Sequence, residues 1–265
     1  MSGNERRSRG RSPRANPGWD HVALWYDGWV GQRGSLYHQR LAIPAALELL
    51  DPRAGEDLLD IGAGQGVLAP FVLERGARYT GIDASPALIE RARQRRPRAA
   101  RFMVGDARRL DLVAALRPVS FDAAVFLLSI ADIPDLELVA ASLDWVLRPN
   151  ARVVIVMTHP AFRQPRHSGW GYDEGRKLTY RRVDGYLTPM AVPLDAVAGT
   201  RPTWSHHRPM SDYVNALGAF GFGVDAMLEV PDLAPHERPR RSQRGLDNAD
   251  IPLLLGLRAS RNRFG

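Results

Sequence analysis

Along this 265-residue chain the hydrophobic positions form two kinds of pattern: short continuous apolar runs, and longer stretches with apolar residues three and four apart. The first kind reads as strands covered on both faces, the second as amphipathic helices. Five strands are predicted at Asp57–Ile61 (DLLDI), Arg78–Asp83 (RYTGID), Arg101–Val104, Phe121–Leu128 and Arg152–Met157. Between them lie helical stretches. VLAPFVLERG follows the first strand, Ser85-Pro86 opens a helix with a serine cap and a first-turn proline, and Pro134 opens another with Leu136, Val139, Leu143 and Val146 inward. Such alternation predicts a doubly wound α/β fold whose ligands sit beyond the carboxyl ends of the strands. Further on, Met210–Gly221 reads as a helix, Gly223–Val230 as a sixth strand and Ile251–Ala259 as the last.

Two regions break the alternation. Residues 18–50 carry aromatics and then a helical pattern ahead of the first strand, so they are placed as an N-terminal cap over the strand tips, with Tyr26 and His38 over a ligand. Residues 158–208 are too long for a connection and are read as a lid insertion, in which 177–187 and 201–208 form a strand pair. Residues 1–17 lack periodicity and are expected to be a disordered basic tail, leaving 18–265 as one domain. Arginines 91, 93, 95 and 96 read as a solvated helix face.

The chemistry starts at Asp60-Ile61-Gly62-Ala63-Gly64-Gln65-Gly66, where a buried strand ends in a glycine-rich turn that leads into a helix. Glycines let a ligand approach backbone N–H groups and a helix N-terminus. The dinucleotide fingerprint GxGxxG would need glycine at Val67, so the turn is GxGxG and an NAD oxidoreductase is disfavoured. Asp83 ends the next strand about 20 residues on, where a carboxylate can accept ribose hydroxyls. Gly105-Asp106-Ala107 ends the third strand and Leu127-Leu128-Ser129 the fourth.

These motifs, in this order, resemble those of the class I methyltransferases that use S-adenosylmethionine (SAM). The resemblance extends to the small-molecule methyltransferase-domain group called type 11 or 25 through His159-Pro160-Ala161-Phe162, the stretch from Tyr180 to Leu187, and His207-Arg208-Pro209-Met210-Ser211-Asp212-Tyr213. It implies a mostly parallel, seven-stranded Rossmann-like sheet with the last strand antiparallel. It implies SAM as cofactor and S-adenosylhomocysteine (SAH) as product, with Asp60, Gly62, Ala63, Gly64, Asp83, Ala84, Asp106, Ala107, Leu127, Leu128 and Ser129 around them. In that reading Asp106 receives the adenine amino group and the fourth-strand loop lies beside the methyl group.

Composition narrows the acceptor. The net charge of +7 resides in the two ends, five arginines against one glutamate in residues 1–16 and three arginines in 258–265, so the body is neutral. With Lys177 the only lysine and a neutral body, nucleic acid is disfavoured as a partner; an RNA or protein methyltransferase using the arginine tail, or a non-catalytic SAM-binding protein, are the alternatives. The absence of cysteine removes the nucleophile that pyrimidine C5 methylation usually needs. No run approaches 18 uninterrupted apolar residues, which predicts a cytoplasmic protein with no membrane partner.

An O or N atom of a small molecule is therefore the expected acceptor. His159, directly after the fifth strand, and His207 are the candidate general bases. Arg163, Trp170, Tyr172, Arg182 and Arg208 are placed at the acceptor. His206 and His207, adjacent on an extended segment, point to opposite sides, so no metal site is expected.

Overall fold

The computed structural model describes residues 18–194, 200–234 and 250–261. The expected basic tail at 1–17 and most of the loop at 231–250 lie outside the described residues.

The first five strands form in sequence order as β1 (Asp57–Ile61), β2 (Arg78–Asp83), β3 (Arg101–Val104), β4 (Phe121–Leu127) and β5 (Leu147–Thr158). After an insertion come β10 (Phe222–Val230) and β11 (Leu254–Arg261), numbered to leave four strands, β6 to β9, for the insertion. The seven-stranded sheet runs β10-β11-β5-β4-β1-β2-β3, with β1 to β5 parallel and β11 antiparallel to both neighbours. The chain works outward from β1 to β3 and then returns to the other side of β1 as β4. Between β1 and β4 the winding therefore reverses, which is where such sheets open a crevice at the strand tips.

Alternating side chains make two cores. Leu59, Ile61, Phe126, Val153 and Ile155 face one way, onto α5 (Leu136–Val146) and α6 (Met210–Gly218). Leu58, Val125, Val154 and Val156 face the other, onto α2 (Ile43–Leu50), α3 (Ala69–Leu73) and α4 (Pro86–Arg95). With helices on both faces, the central strands have no polar side, which is why they read as unbroken apolar runs. Ser85 caps α4 as expected, its hydroxyl accepting from Leu88 N at 3.2 Å. Helix α5 starts two residues after Pro134, because Asp135 takes a left-handed conformation (φ 57°) with its carboxylate on Arg108.

Of the arginines on and just after α4, Arg93 and Arg95 are exposed as expected, but Arg91, Arg95 and Arg96 also hold the cap. Helix α1 (Ala23–Val30) carries Asp27, which is buried and binds both Arg91 and Arg95. Arg96 donates to Gln65 O and Gln32 O, each at 2.8 Å, joining the glycine turn to the cap. Arg93 donates to Phe102 O. Asp20 accepts from Ser85 Oγ and Ala87 N.

The insertion also differs from the expected pairing. It folds as two antiparallel hairpins, β6 (Ser168–Asp173) with β7 (Leu178–Val183), and β8 (Met190–Leu194) with β9 (Thr203–His207). Residues 177–187 and 201–208 thus each pair with a nearer upstream strand. For β6–β7 in particular, the short loop costs little entropy to close.

Candidate active site

The reversal between β1 and β4 leads into a cavity of about 410 Å³. Its floor is the glycine turn. Gly62 N and Ala63 N both donate to Ile82 O at 2.8 and 3.0 Å, stitching the turn to β2. At Gly62 (φ +72°) a Cβ would lie 2.4 Å from Ser129 Cβ, so no side chain fits. At Gly64 (φ +54°) the same atom would meet only the Tyr26 ring, at 3.7 Å. Gly64 thus presents bare backbone to the cavity, a cradle that a single methyl group would fill.

Asp83 at the tip of β2 lies on the wall, its carboxylate fixed by Gly64 N and Ser85 N, both at 2.8 Å. Burial pushes its pKa up, against those two bonds. Each oxygen keeps a lone pair for a further donor. Asp106, after β3, is also on the wall but engaged by Arg108, whose Nη2 lies at 2.7 Å. Burial alone would raise the Asp106 carboxyl; the bonds from Arg108 outweigh it and hold the group below the usual carboxylate range. Ala84, Ala107, Leu127, Leu128 and Ser129 complete the tips of β2, β3 and β4, and Ser129 Oγ donates to Ile61 O at 2.6 Å.

From the cap come Trp19, Tyr26, Trp29 and His38. Tyr26 packs edge-on against Trp19 (5.1 Å between ring centres), and its phenol is raised by burial and then by Asp132, Asp83 and Asp60. His38 is buried beside Ser35 Oγ (2.8 Å), and burial lowers its pKa to about 4, so the ring is neutral. Asp132, on the loop after β4, is the acid that sequence reasoning passed over. Burial pushes it up to about 8, a hydrogen bond from the Trp19 side chain opposes this, and the Asp83 charge adds to it.

Several residues expected at the site lie elsewhere. Asp60 and Ala63 are absent from the cavity wall. Strand alternation turns Asp60 toward Tyr79, whose hydroxyl donates to it at 2.5 Å, and burial raises its pKa to about 7. His159 is also off the wall. It is fully buried, with Nε2 3.1 Å from Glu229 and Nδ1 accepting from Ala161 N. His207 donates from Nε2 to Tyr186 O at 2.8 Å.

It is His206, one residue earlier, that reaches the wall, together with Trp204 and Ser205. Burial, then Arg208, lowers the His206 pKa, so the imidazole is neutral at pH 7. Of the expected acceptor residues, Arg163 lines the cavity, while Trp170 is sandwiched between Arg163 and Arg181, 5.1 Å from each. Tyr172 and Arg182 stand on the β6–β7 hairpin, exposed, with Arg182 paired to Asp184 at 2.9 Å. Arg208 is buried behind the wall and donates to Ile133 O.

Comparison with known proteins agrees with this geometry. A methyltransferase-domain family matches residues 59–155, from β1 through β5. A S-adenosylmethionine dependent methyltransferase from Mesorhizobium loti superposes with a TM-score of 0.69 at 25% identity, covering 87% of this chain and 100% of that one. Residues 59–155 thus match a methyltransferase domain, and the chain has the fold of SAM-dependent methyltransferases.

Among curated relatives of this chain, a demethylmenaquinone methyltransferase from Tropheryma whipplei is 32% identical over 117 residues, 44% of this chain and 48% of the relative. The chain thus spans about half the length of the curated relatives it matches first. A 1,6-didemethyltoxoflavin-N1-methyltransferase from Burkholderia thailandensis, with bound S-adenosylhomocysteine, shares the fold (TM-score 0.53, 18% identity, 96% of this chain and 93% of that one). Among the described residues no helix is long and apolar enough to cross a membrane.

Proposed function

We propose that this protein binds SAM in the cavity at the β1–β4 reversal and transfers its methyl group to an oxygen or nitrogen of a small-molecule acceptor. The observation that carries the reading is Gly64, whose bare, positive-φ backbone faces the cavity while its N–H is held by Asp83. A nucleoside laid against that turn meets the Asp83 carboxylate at ribose height. Gly62, Asp106, Ala107 and the Leu127–Ser129 loop supply the remaining wall, and Tyr26 and His38 cover it.

When bound, SAM supplies an electrophilic methyl group. The chain's own task is to hold the acceptor in line with it and exclude water, and such positioning is worth roughly 7–11 kcal/mol in favourable cases. The cap aromatics cover the cavity, and Met157, Thr158, Trp204, Ser205 and His206, with Asp132 on the neighbouring loop, shape its acceptor end. His206, neutral and on the wall, is placed to take a proton from an acceptor hydroxyl or amine, a contribution of about 10²–10⁴-fold. His159 has both ring nitrogens committed, to Glu229 and Ala161 N, and His207 commits Nε2 to Tyr186 O, so both serve as struts.

Small-molecule acceptors are favoured because the described cavity is enclosed and walled mostly by aromatic and apolar side chains, with acids and not a basic surface among its charged groups at the strand tips. Isothermal calorimetry with SAM, SAH and NAD tests the cofactor, and transfer of labelled methyl from SAM to a panel of phenols, hydroxy-quinones and heterocyclic amines tests the reaction. Binding of NAD but not SAH would overturn the reading. Tight SAH binding without transfer to any of the panel, combined with transfer to RNA, would move the acceptor class.

A further inference from the structure

Behind the acceptor end of the cavity lies a side compartment of about 20 Å³. It shares Met157, Thr158, Ser205 and His206 with the main cavity, so the two adjoin, and its inner wall is Pro160, Gln164, His207, Arg208 and Tyr213. Two of these side chains are anomalous. Gln164 is 3% exposed, yet among the described residues neither its Nε2 nor its Oε1 has a hydrogen-bond partner. Arg208 is 9% exposed; its Nη2 donates to Ile133 O at 2.8 Å, whereas Nη1 has no partner among the described residues. Buried polar groups are almost always satisfied, and leaving a whole carboxamide without partners is costly. Both residues line a space the size of one water molecule or one carbonyl oxygen.

The methyl-transfer reading requires an acceptor held in a fixed orientation beside the cofactor, and this compartment opens from the acceptor end. Resting on that reading, we propose that Gln164 and Arg208 form the anchoring subsite for the acceptor. The subsite selects molecules with a carbonyl oxygen and a hydrogen-bond donor on neighbouring atoms, as in a lactam or hydroxy-carbonyl edge.

The donor and acceptor inventory leads to that class. Gln164 Nε2 and Arg208 Nη1 both donate, and together they suit one carbonyl oxygen entering the compartment. Gln164 Oε1 only accepts, so the neighbouring atom of the acceptor must carry N–H or O–H. A carboxylate would satisfy both donors but set an oxygen without a proton against Oε1, and a plain ketone would leave Oε1 bare. Held at this end, the rest of a planar acceptor lies along Ser205 and His206 toward the cofactor side. An enzyme site built to pair such groups discriminates strongly against analogues that lack one.

The test uses the SAH-loaded full chain and three probes in calorimetry: 2-quinolone, which has the lactam edge; N-methyl-2-quinolone, which keeps the carbonyl but not the N–H; and 1-naphthoate. The expected result is binding of 2-quinolone at least about tenfold tighter than of either other probe, the loss of one well-made buried hydrogen bond. In Gln164→Leu the preference should disappear while SAH affinity stays within about twofold of wild type; Gln164→Met, which also lacks both the amide donors and the acceptor oxygen, replaces it should the leucine variant fail to fold. Equal affinity for the three probes, no saturable binding of 2-quinolone, or a preference that survives in these variants overturns the proposal and leaves the compartment holding an ordered water only. Failure of SAH itself to bind the wild type is a separate outcome, which sinks the methyl-transfer reading and this proposal with it.

Discussion

Replacing Gly64 and Gly62 separately by alanine divides what the glycine turn does for folding from what it does for a ligand. Both have positive φ, so each alanine costs about 1–2 kcal/mol from the left-handed conformation alone. At Gly62 the new methyl would also sit 2.4 Å from Ser129 Cβ and press on a hydroxyl that donates to Ile61 O. Overpacking of that kind adds roughly 1–3 kcal/mol and the displaced hydrogen bond about 1, for a total of about 3–6 kcal/mol.

At Gly64 nothing is closer than the Tyr26 ring at 3.7 Å, so the stability cost stops at the backbone. In a domain of this size that is a fall in Tm of roughly 2–8 °C. The Gly64 methyl projects instead into the cavity, where a bound nucleoside would have to back away from the turn. An overpacking cost of about 1–3 kcal/mol on binding weakens SAH by about 5- to 150-fold. The measurements are thermal unfolding with and without SAH, and calorimetric affinity. Gly64→Ala that bound SAH within twofold of wild type would refute the placement of the cofactor on this turn, however well the protein folded.

Three other outcomes are expected. Asp83→Ala should lose most of the thermal stabilisation that saturating SAH gives, which for ligand at about 100 times its Kd is about 2.7 kcal/mol; unchanged stabilisation would contradict ribose binding by this carboxylate. Asp132 and Asp60 have pKa values raised to about 8 and about 7, so the stability they contribute is full below the ordinary carboxylate pKa and is lost as pH rises through 7–8. Urea unfolding should therefore show declining stability between pH 5 and 8.5, and Asp132→Asn should flatten the decline. Asp27→Asn leaves Arg91 and Arg95 without their carboxylate partner and loosens the cap; SAH should dissociate faster, by about tenfold for roughly 1.4 kcal/mol, with the central sheet unaffected in hydrogen exchange.

The parts of this protein that were legible in its sequence are those whose residue types have few alternatives. Buried parallel strands need unbroken apolar runs, a turn beneath a ligand needs glycine, and an acid at a strand tip stands beside whatever the turn holds. Hence β1 to β5 and the placing of Gly64 and Asp83 at strand tips followed from pattern, while the seven-stranded sheet with its antiparallel strand came from the family resemblance. What pattern could not carry was the direction of side chains in irregular or inserted segments. Asp60 sits one residue before the end of β1, and strand alternation sends it to Tyr79. The arginines of α4 read as solvated because their partners, Asp27 and two backbone carbonyls of the cap and turn, are remote in sequence.

The histidines show most sharply where such reasoning stops, and why. His159 follows directly on the strand with the right tip, and His207 begins a motif, so both had the position of a base. A base, however, needs a free nitrogen on the cavity as well as a place near it. Once β8 and β9 pair, Ala191 lies opposite His206 and Met190 opposite His207, which turns His206 to the wall and gives His207 to Tyr186 O. That register belongs to a short strand pair in the insertion, outside the apolar runs that mark the central sheet. The acceptor end of the site is thus determined by strand pairing within the insertion, whereas the cofactor end is determined by the sheet. An insertion of different register on the same five strands would keep the cradle of Gly62, Gly64 and Asp83 and present a different base and a different anchor. Acceptor identity should accordingly change when residues 158–208 are exchanged, with SAH affinity preserved.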